Sequence, residues 1–134
     1  MAIYLNLLKK DLWKEFVEID AEEATEEELE LVHSSVHVQK VKEIENRKDM
    51  KKEECKMLPH QNTRRFKNDT YENKFTGQAA FWAAGGCAEA TRAIFAQSCD
   101  CAFAIVRPPG HHSAHADASG FCFLNNAGVA ARVA

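Results

Sequence analysis

The chain has 134 residues, 46% of them hydrophobic, which suits one domain with a single core. Its formal net charge of −3 and pI near 6.1 lack the basic excess of most nucleic-acid-binding proteins, so we expect no direct DNA or RNA binding. The sequence contains no apolar run of membrane-spanning length and no signal-peptide pattern after Met1, so we expect no membrane association. The five cysteines are odd in number and lack C-x-x-C spacing, which favours reduced thiols in an intracellular protein.

Charged residues are concentrated in the first half of the chain. Residues 1–68 contain 13 of the 17 Lys and Arg and 15 of the 20 Asp and Glu. We therefore predict a charged helical and loop part over residues 1–75 and a part that supplies the core over residues 76–134. Because a complete domain usually mixes surface and core along its length, this order predicts that further polypeptide is missing after Ala134.

The first part contains several helix signals. Leucines spaced three and four residues apart predict an amphipathic helix over residues 3–15, and a short strand in "FVEI" could follow it. Thr25 and Glu28 have capping-box spacing, which predicts that a helix begins at Thr25. Ser34 or Ser35 would cap another helix, whose apolar face comprises Val38, Val41 and Ile44. Residues 47–68 are mostly charged and lack a period, which is typical of a surface loop.

The second part begins with a helix that is apolar on nearly every side. It starts at Thr76 in "TGQAAFWAAGGCAEATRAIFAQ", and such a helix is buried between layers. Gly85 and Gly86 would each cost about 1 kcal/mol relative to alanine in a helix, so we expect them to allow close backbone approach. The apolar run "CAFAIVR" predicts a central parallel strand buried on both faces, and a terminal helix is predicted in "NNAGVAARVA".

Two adjacent histidines, His111 and His112, follow the predicted strand. Catalytic groups of open α/β folds gather beyond the carboxyl ends of such strands. Pro108 and Pro109 fix φ and Gly110 permits an unusual turn, so the imidazoles would be held on a stiff support. Imidazole titrates near neutrality, which suits general acid/base chemistry. The alternative is that the two histidines are ordinary solvated or hydrogen-bonded loop residues.

The stretch "VRPPGHHSAHADASGFCFLNNAGVAA" resembles the active-site segment of the histone deacetylases, and its RPPGHH and GFCF forms are similar to class II. The resemblance extends to "EATEEELELVHSSVHVQKV" and to "NDTYENKFTGQAAFWAAGGCAEATRAI", and it covers nearly the whole chain from about Ile3. It implies an α/β fold: part of the three-layer arginase/deacetylase fold with a parallel sheet, truncated. The chain would be a partial catalytic domain in which residues 76–134 provide the buried helix, strand and active-site loop.

The resemblance also implies a function and roles for particular residues. A zinc-dependent hydrolase of this family removes acetyl groups from lysine side chains. His112 would be the general base and also the acid for the leaving amine, with His111 as its electrostatic partner. Gly120 would receive the substrate amide on its carbonyl, and Phe121 would form an aromatic wall along the acetyl-lysine stem. Asp69 matches the rim carboxylate that holds the substrate backbone; the alternatives for Asp69 are a solvated loop residue or an Asx-turn.

The other histidines and cysteines are predicted to have no catalytic role. His115 and Asp117 are loop residues in this interpretation, because zinc ligands seldom all come from one short loop and the family uses neither. His33 and His37 fall in the "VHS" segment, which the resemblance implies is structural. Cys122 is predicted to be a buried thiol, with redox sensing as a minor alternative. Cys55 and His60 resemble a structural-zinc pair only faintly.

The departures from the family pattern concern the metal. By the resemblance, the zinc ligands are an Asp-x-His pair and a later aspartate, which would lie beyond Ala134, as would the tyrosine that stabilises the oxyanion. The predicted cofactor is therefore Zn²⁺ in a longer parent protein, with no metal ligand in this chain, and the chain alone is predicted to be inactive.

Three interpretations of function remain open. The first is the N-terminal part of a class II histone deacetylase that acts on acetylated histones or other proteins, with corepressor complexes as partners, in the nucleus, the cytoplasm or both. The second is a noncatalytic interaction or regulatory fragment of the same fold. The third is a relative that acts on acetylated polyamines or other small amides.

Overall fold

The computed structural model describes residues 2–46, 64–67 and 69–134. Within these residues the chain forms five α-helices, two short 3₁₀ helices and one pair of strands. The α-helices are α1 (Ala2–Lys9), α2 (Glu26–Glu30), α3 (Ser35–Lys42), α4 (Thr76–Phe95) and α5 (Asn126–Val133). The 3₁₀ helices are Trp13–Glu15 and Glu43–Asn46, and the strands are β1 (Arg64–Lys67) and β2 (Thr70–Glu72).

The N-terminal helix is shorter than its leucine spacing predicts. Helix α1 ends at Lys9, and Asp11 follows with φ of 55°, a left-handed conformation that ends a helix. Trp13–Glu15 then forms a 3₁₀ turn. The segment "FVEI" is not a strand, because it makes no strand pairing with the described residues, and Val17 is 89% exposed.

Two side-chain caps determine where α2 and α3 begin. The Thr25 hydroxyl accepts the Glu28 N–H at 3.2 Å, and the Glu28 carboxylate accepts the Thr25 N–H at 2.9 Å, which confirms the predicted capping box. Ser34, and not Ser35, caps α3 by accepting the His37 N–H at 3.3 Å. Local side-chain chemistry therefore sets the residues at which these two helices begin.

Helix α4 packs at the centre of the described residues, but only one face of it is buried: seven of its 20 residues are buried, whereas Trp82 is 44% and Phe95 67% exposed, so the predicted burial on nearly every side is not met. A Cβ added to Gly85 would collide with the Glu22 carbonyl oxygen and come within 2.6 Å of the Ala24 nitrogen, so this position requires glycine. Gly86 has more space, because its nearest neighbour would be Val106 Cγ1 at 3.5 Å. Close backbone approach is thus confirmed at Gly85, and Gly86 makes only ordinary contact.

The core is shared between the two parts of the chain. The charge distribution predicts a core supplied by residues 76–134, yet several buried apolar residues come from α2, α3 and the turn after α3. The buried cluster consists of Ala24, Leu29, Val38, Val41, Ile44, Ala80, Phe81, Ala84, Ala118, Phe123, Leu124 and Val129. Val38, Val41 and Ile44, the predicted apolar face, all lie inside this cluster, with Ile44 in the 3₁₀ turn that follows α3.

The one strand pairing among the described residues is antiparallel. Strands β1 and β2 form a hairpin, and the Phe66 ring packs edge-on against Phe123 with ring centroids 5.1 Å apart. Residues 101–107, predicted to be a central strand, make no strand hydrogen bonds within the described part of the chain, and Phe103 is 73% exposed. A parallel strand is defined by its neighbours, and the described residues provide no neighbour there.

Most of the predicted surface loop 47–68 lies outside the described residues, and residues 64–67 form β1. The terminal helix is present as α5. Its first turn is capped by Asn125, whose side-chain oxygen accepts the Gly128 N–H at 2.9 Å. In the described part of the chain, no helix has the length and apolar character needed to cross a membrane.

Candidate active site

The loop that carries the adjacent histidines begins on a closely packed glycine. A Cβ on Gly110 would come within 2.7 Å of the Leu124 carbonyl oxygen and would also collide with the Asn126 nitrogen. The Asn126 side-chain amide donates to the Pro108 carbonyl at 3.1 Å. The Pro-Pro-Gly turn therefore packs against the start of α5.

His111 and His112 lie side by side at the surface. Their ring centroids are 4.4 Å apart and their planes are tilted by 55°. Both residues are exposed, while the His112 backbone N–H donates to the Cys122 sulfur at 3.4 Å. The imidazoles are thus accessible from solvent, while the backbone at His112 is bonded to the buried Cys122.

Gly120 makes room for the His112 ring. Its φ is +55°, and a Cβ at this position would lie 2.7 Å from His112 Cδ2. Phe121 follows with φ of +64° and is 53% exposed. Gly120 and Phe121 are thus two consecutive residues with left-handed backbone, and the Phe121 ring centroid lies 6.5 Å from that of Tyr71.

The β1–β2 hairpin holds this bend through its tip. The Gly120 N–H donates to the Asp69 carboxylate at 3.2 Å, and the Phe121 N–H donates to the Thr70 hydroxyl at 3.3 Å. Thr70 is fully buried, whereas Asp69 is exposed. The structure therefore brings Asp69, Gly120, Phe121 and His112 together. The contribution of Thr70 was missed from sequence; its only signal was its position next to Asp69.

Cys122 is completely buried under the loop, as predicted. Its thiol donates weakly to the Gly120 carbonyl at 3.4 Å and accepts the His112 N–H. The loop also closes on itself through two bridges, which pair Ser119 with Cys122 and Ala114 with Asp117. The Cys122 thiol therefore connects the histidine end of the loop to its glycine end.

Two buried histidines fasten the loop to the helices from the first part of the chain. His33 Nε2 accepts the Asn125 N–H at 2.8 Å, and His33 Nδ1 lies 3.2 Å from the His115 carbonyl oxygen. His37 Nε2 lies 2.7 Å from the Phe123 carbonyl oxygen. Sequence reasoning predicted that His33 and His37 are structural, but it did not find that they act on this loop.

Burial lowers the pKa of both His33 and His37 below the usual value of 6.5, because the low-dielectric interior disfavours the imidazolium form. Hydrogen bonding to the backbone opposes this effect, at the His115 carbonyl for His33 and at the Phe123 carbonyl for His37. Both rings are therefore neutral in the folded protein near pH 7.

The described residues do not form a metal site of their own. Among residues 2–46, 64–67 and 69–134, no group of three or more His, Cys, Asp and Glu is arranged to hold a metal ion. His115 and Asp117 are loop residues here: His115 Nδ1 donates to the Val32 carbonyl at 2.6 Å, and the Asp117 carbonyl accepts the Ala114 N–H at 2.9 Å. Cys55 and His60 lie outside the described residues.

The sequence and structure match known deacetylases. The family model described as "Histone deacetylase domain" matches residues 1–134. The chain belongs to the histone deacetylase family. It is 41% identical to histone deacetylase 15 of Arabidopsis thaliana over 116 residues, which are 87% of this chain and 18% of the relative. It is 36% identical to the human polyamine deacetylase HDAC10 over 126 residues, which are 94% of this chain and 18% of the relative.

A solved structure gives the same result for the fold. The crystal structure of the HDA15 HD domain matches with a TM-score of 0.84 and 37% identity, over 98% of this chain and 33% of that chain. The chain therefore has the arginase/deacetylase fold over the residues that match. It spans about a third of that solved domain and less than a fifth of the two relatives.

Proposed function

We propose that this chain provides the proton-transfer and substrate-binding part of a class II histone deacetylase site, which hydrolyses acetyl-lysine amides. The observation that carries the proposal is the His112 imidazole, which is exposed beside His111 and packed against the left-handed Gly120. The RPPGHH and GFCF forms of the sequence support class II. Membership of the family supports the deacetylase reaction.

His112 is proposed to be the general base. It removes a proton from the attacking water and returns one to the nitrogen of the leaving lysine, because imidazole can both accept and donate a proton near neutral pH. His111 lies next to it and is its electrostatic partner. Both residues are exposed, so an incoming amide can reach their rings.

The substrate is proposed to lie along Gly120 and Phe121. The Phe121 ring is an apolar wall, which suits the uncharged stem of an acetylated lysine better than that of a free, charged lysine. The Gly120 carbonyl is the acceptor for the substrate amide. Asp69 already accepts the Gly120 N–H, so we propose that it positions this bend as well as facing the substrate backbone at the rim.

The family is generally zinc-dependent, and zinc would polarise the acetyl carbonyl and activate the water. The described residues do not fit a zinc site, because they contain no cluster of three or more suitable ligands. The roles proposed for this chain are therefore limited to proton transfer and binding. For the same reason we expect the 134-residue chain alone to be inactive.

Acetylated polyamines are the second candidate substrates. The similarity to HDAC10 of human and mouse, at 36% and 38% identity, supports this class, because those relatives are named polyamine deacetylases. The protein-deacetylase proposal implies histones or other acetylated proteins as substrates, corepressor complexes as partners, and a nuclear or cytoplasmic location.

A chimeric domain tests the proposal. Residues 1–134 replace the matching third of the HDA15 HD domain, and hydrolysis of an acetyl-lysine peptide is compared with that of an acetylated polyamine. We expect turnover of the peptide by the folded chimera and none by the 134-residue chain alone. A folded chimera without activity on either substrate would support the noncatalytic interpretation, and preference for the polyamine would support the second candidate.

A further inference from the structure

We propose that His33 is a positioning residue that fastens both sides of the histidine loop as a neutral imidazole and releases the loop when it is protonated. This inference rests on the proposed function only in treating the loop as the one that carries the catalytic histidines. The bonds that carry it are visible without any assumption about the substrate.

His33 bridges two points of the loop that are ten residues apart. On one side its Nε2 accepts the Asn125 N–H at 2.8 Å, just before α5 begins. On the other side its Nδ1 is 3.2 Å from the His115 carbonyl oxygen, which also accepts the Ser34 N–H at 2.9 Å. His111 and His112 precede this span, and Gly120 and Phe121 lie inside it.

These two partners determine the tautomer of His33. An N–H group can donate only to a ring nitrogen without a proton, so Nε2 is unprotonated. A carbonyl oxygen can only accept, so Nδ1 carries the proton. Protonation of Nε2 would place two N–H groups against each other at Asn125 and break that bond. Only the neutral Nδ1–H form of His33 satisfies both sides of the loop.

His37 contributes a third attachment that does not depend on one protonation state. Its Nε2 donates to the Phe123 carbonyl at 2.7 Å, and both the neutral ring and the imidazolium can make this bond. The Ser113 hydroxyl donates to the same carbonyl at 2.9 Å. His37 is therefore the structural neighbour, and His33 is the residue whose bonding changes with pH.

Burial and the neighbouring imidazoles of His37 and His115 oppose a second proton on His33. His37 lies on α3 with its ring centroid 5.2 Å from that of His33, His115 lies on the loop, and Lys40 acts on His37 from the next turn of α3. Each of these groups is neutral or positive, and none is a carboxylate that would stabilise an imidazolium. Protonation therefore releases the Asn125 N–H, and neither His37 nor His115 can form an ion pair with the imidazolium in exchange.

The test separates the acceptor function of His33 from its bulk. A glutamine can place its side-chain oxygen near the position of Nε2 and does not titrate, whereas an asparagine can replace the Nδ1 donor but cannot reach Asn125. The variants are H33Q and H33N. The measurements are the ¹⁵N shifts of the His33 ring nitrogens and the hydrogen-exchange protection factor of the Asn125 amide in the full chain, from pH 8 to pH 5.

We expect an unprotonated Nε2 at pH 8 and an Asn125 protection factor that falls about tenfold on acidification, in step with the titration of His33. H33Q should keep the high protection without the pH dependence, and H33N should lack the protection at every pH. A protonated Nε2 at pH 8, or Asn125 protection that does not follow the His33 titration, would overturn the inference.

Exchange of the segment 123–128 in the chimeric domain, measured by mass spectrometry, provides the second readout with the same expectations. Neither measurement requires turnover. A chimera that lacks deacetylase activity but shows the His33-linked protection would contradict the proposed function alone, and an active chimera without that protection would contradict this inference alone.

Discussion

The His112 imidazole lies against the backbone of Gly120, so closely that a single methyl group on Gly120 would come within 2.7 Å of His112 Cδ2. Gly120 also has a left-handed φ of +55°. The candidate base and the candidate substrate-binding glycine therefore share one steric requirement. A change at Gly120 acts on His112 although the two residues are eight positions apart in sequence.

Replacing Gly120 with alanine tests this relationship. Gly120→Ala should destabilise the chimeric domain by about 1–2 kcal/mol from the left-handed backbone alone, and it should also displace the His112 ring. The kcat for the peptide should fall by more than unfolding of part of the variant would account for, because misplacement of a base by about 1 Å can cost a hundredfold in rate. Urea unfolding measures the change in stability, and kcat measures the change in activity. An unchanged kcat in a folded variant would contradict the prediction.

The two adjacent glycines of α4 should respond in opposite directions. Gly85→Ala should destabilise the domain by about 1–3 kcal/mol, because the new methyl group meets the backbone at Glu22 and Ala24. Gly86→Ala is the matched control and should be neutral or stabilising by up to about 1 kcal/mol, since alanine is the better helix former and its Cβ would make only ordinary van der Waals contacts. Equal effects in thermal unfolding would show that the packing at Gly85 is not as described.

The capping box at the start of α2 predicts that alanine at position 25 lowers the stability more than serine does. Thr25→Ala should lower the free energy of unfolding by about 1 kcal/mol, because the Glu28 N–H loses its acceptor. Thr25→Ser keeps the hydroxyl and should lose only a small fraction of that amount. The comparison is made by urea denaturation of the two variants and the parent; a serine variant as unstable as the alanine variant would exclude the cap as the cause.

Acid should destabilise the fold through His33 and His37. Burial lowers the pKa of both in the folded state below the usual value of 6.5, so the unfolded chain binds protons first as the pH falls. Their contribution to stability is complete above about pH 6.5 and is lost as the pH falls through the lower folded-state pKa values. The double variant H33Q/H37Q should show a shallower dependence of unfolding free energy on pH between 7 and 5, and an unchanged slope would contradict this account.

Local signals in the sequence were sufficient for some elements. Thr25 and Glu28 lie three residues apart, so their reciprocal bonds form within one turn and depend on nothing distant. Gly85 lies in a run of small residues on an apolar helix, a pattern that predicts close packing. The Pro-Pro-Gly turn before His111 is similar, because each of its residues restricts the local backbone.

Contacts between distant segments could not be read from the sequence. The bond from Asn125 to His33 joins residues 92 positions apart, and the bond from Gly120 to Asp69 joins residues 51 positions apart. The early end of α1 was missed because leucine spacing does not reveal the left-handed Asp11. The run "CAFAIVR" makes no strand pairing in the described part of the chain, since a strand depends on neighbours that its own pattern cannot supply.

In the proposed deacetylase site, His112 carries the proton transfer. The most direct test is to measure kcat for the acetyl-lysine peptide in the chimeric domain and in its His112→Ala variant. Because a positioned base contributes about 10²–10⁴-fold, kcat should fall by at least a hundredfold, with unfolding free energy close to that of the parent. The same substitution at His115 is the control and should retain more activity. If the folded His112→Ala variant kept the kcat of the parent, His112 would not be the catalytic base of the site.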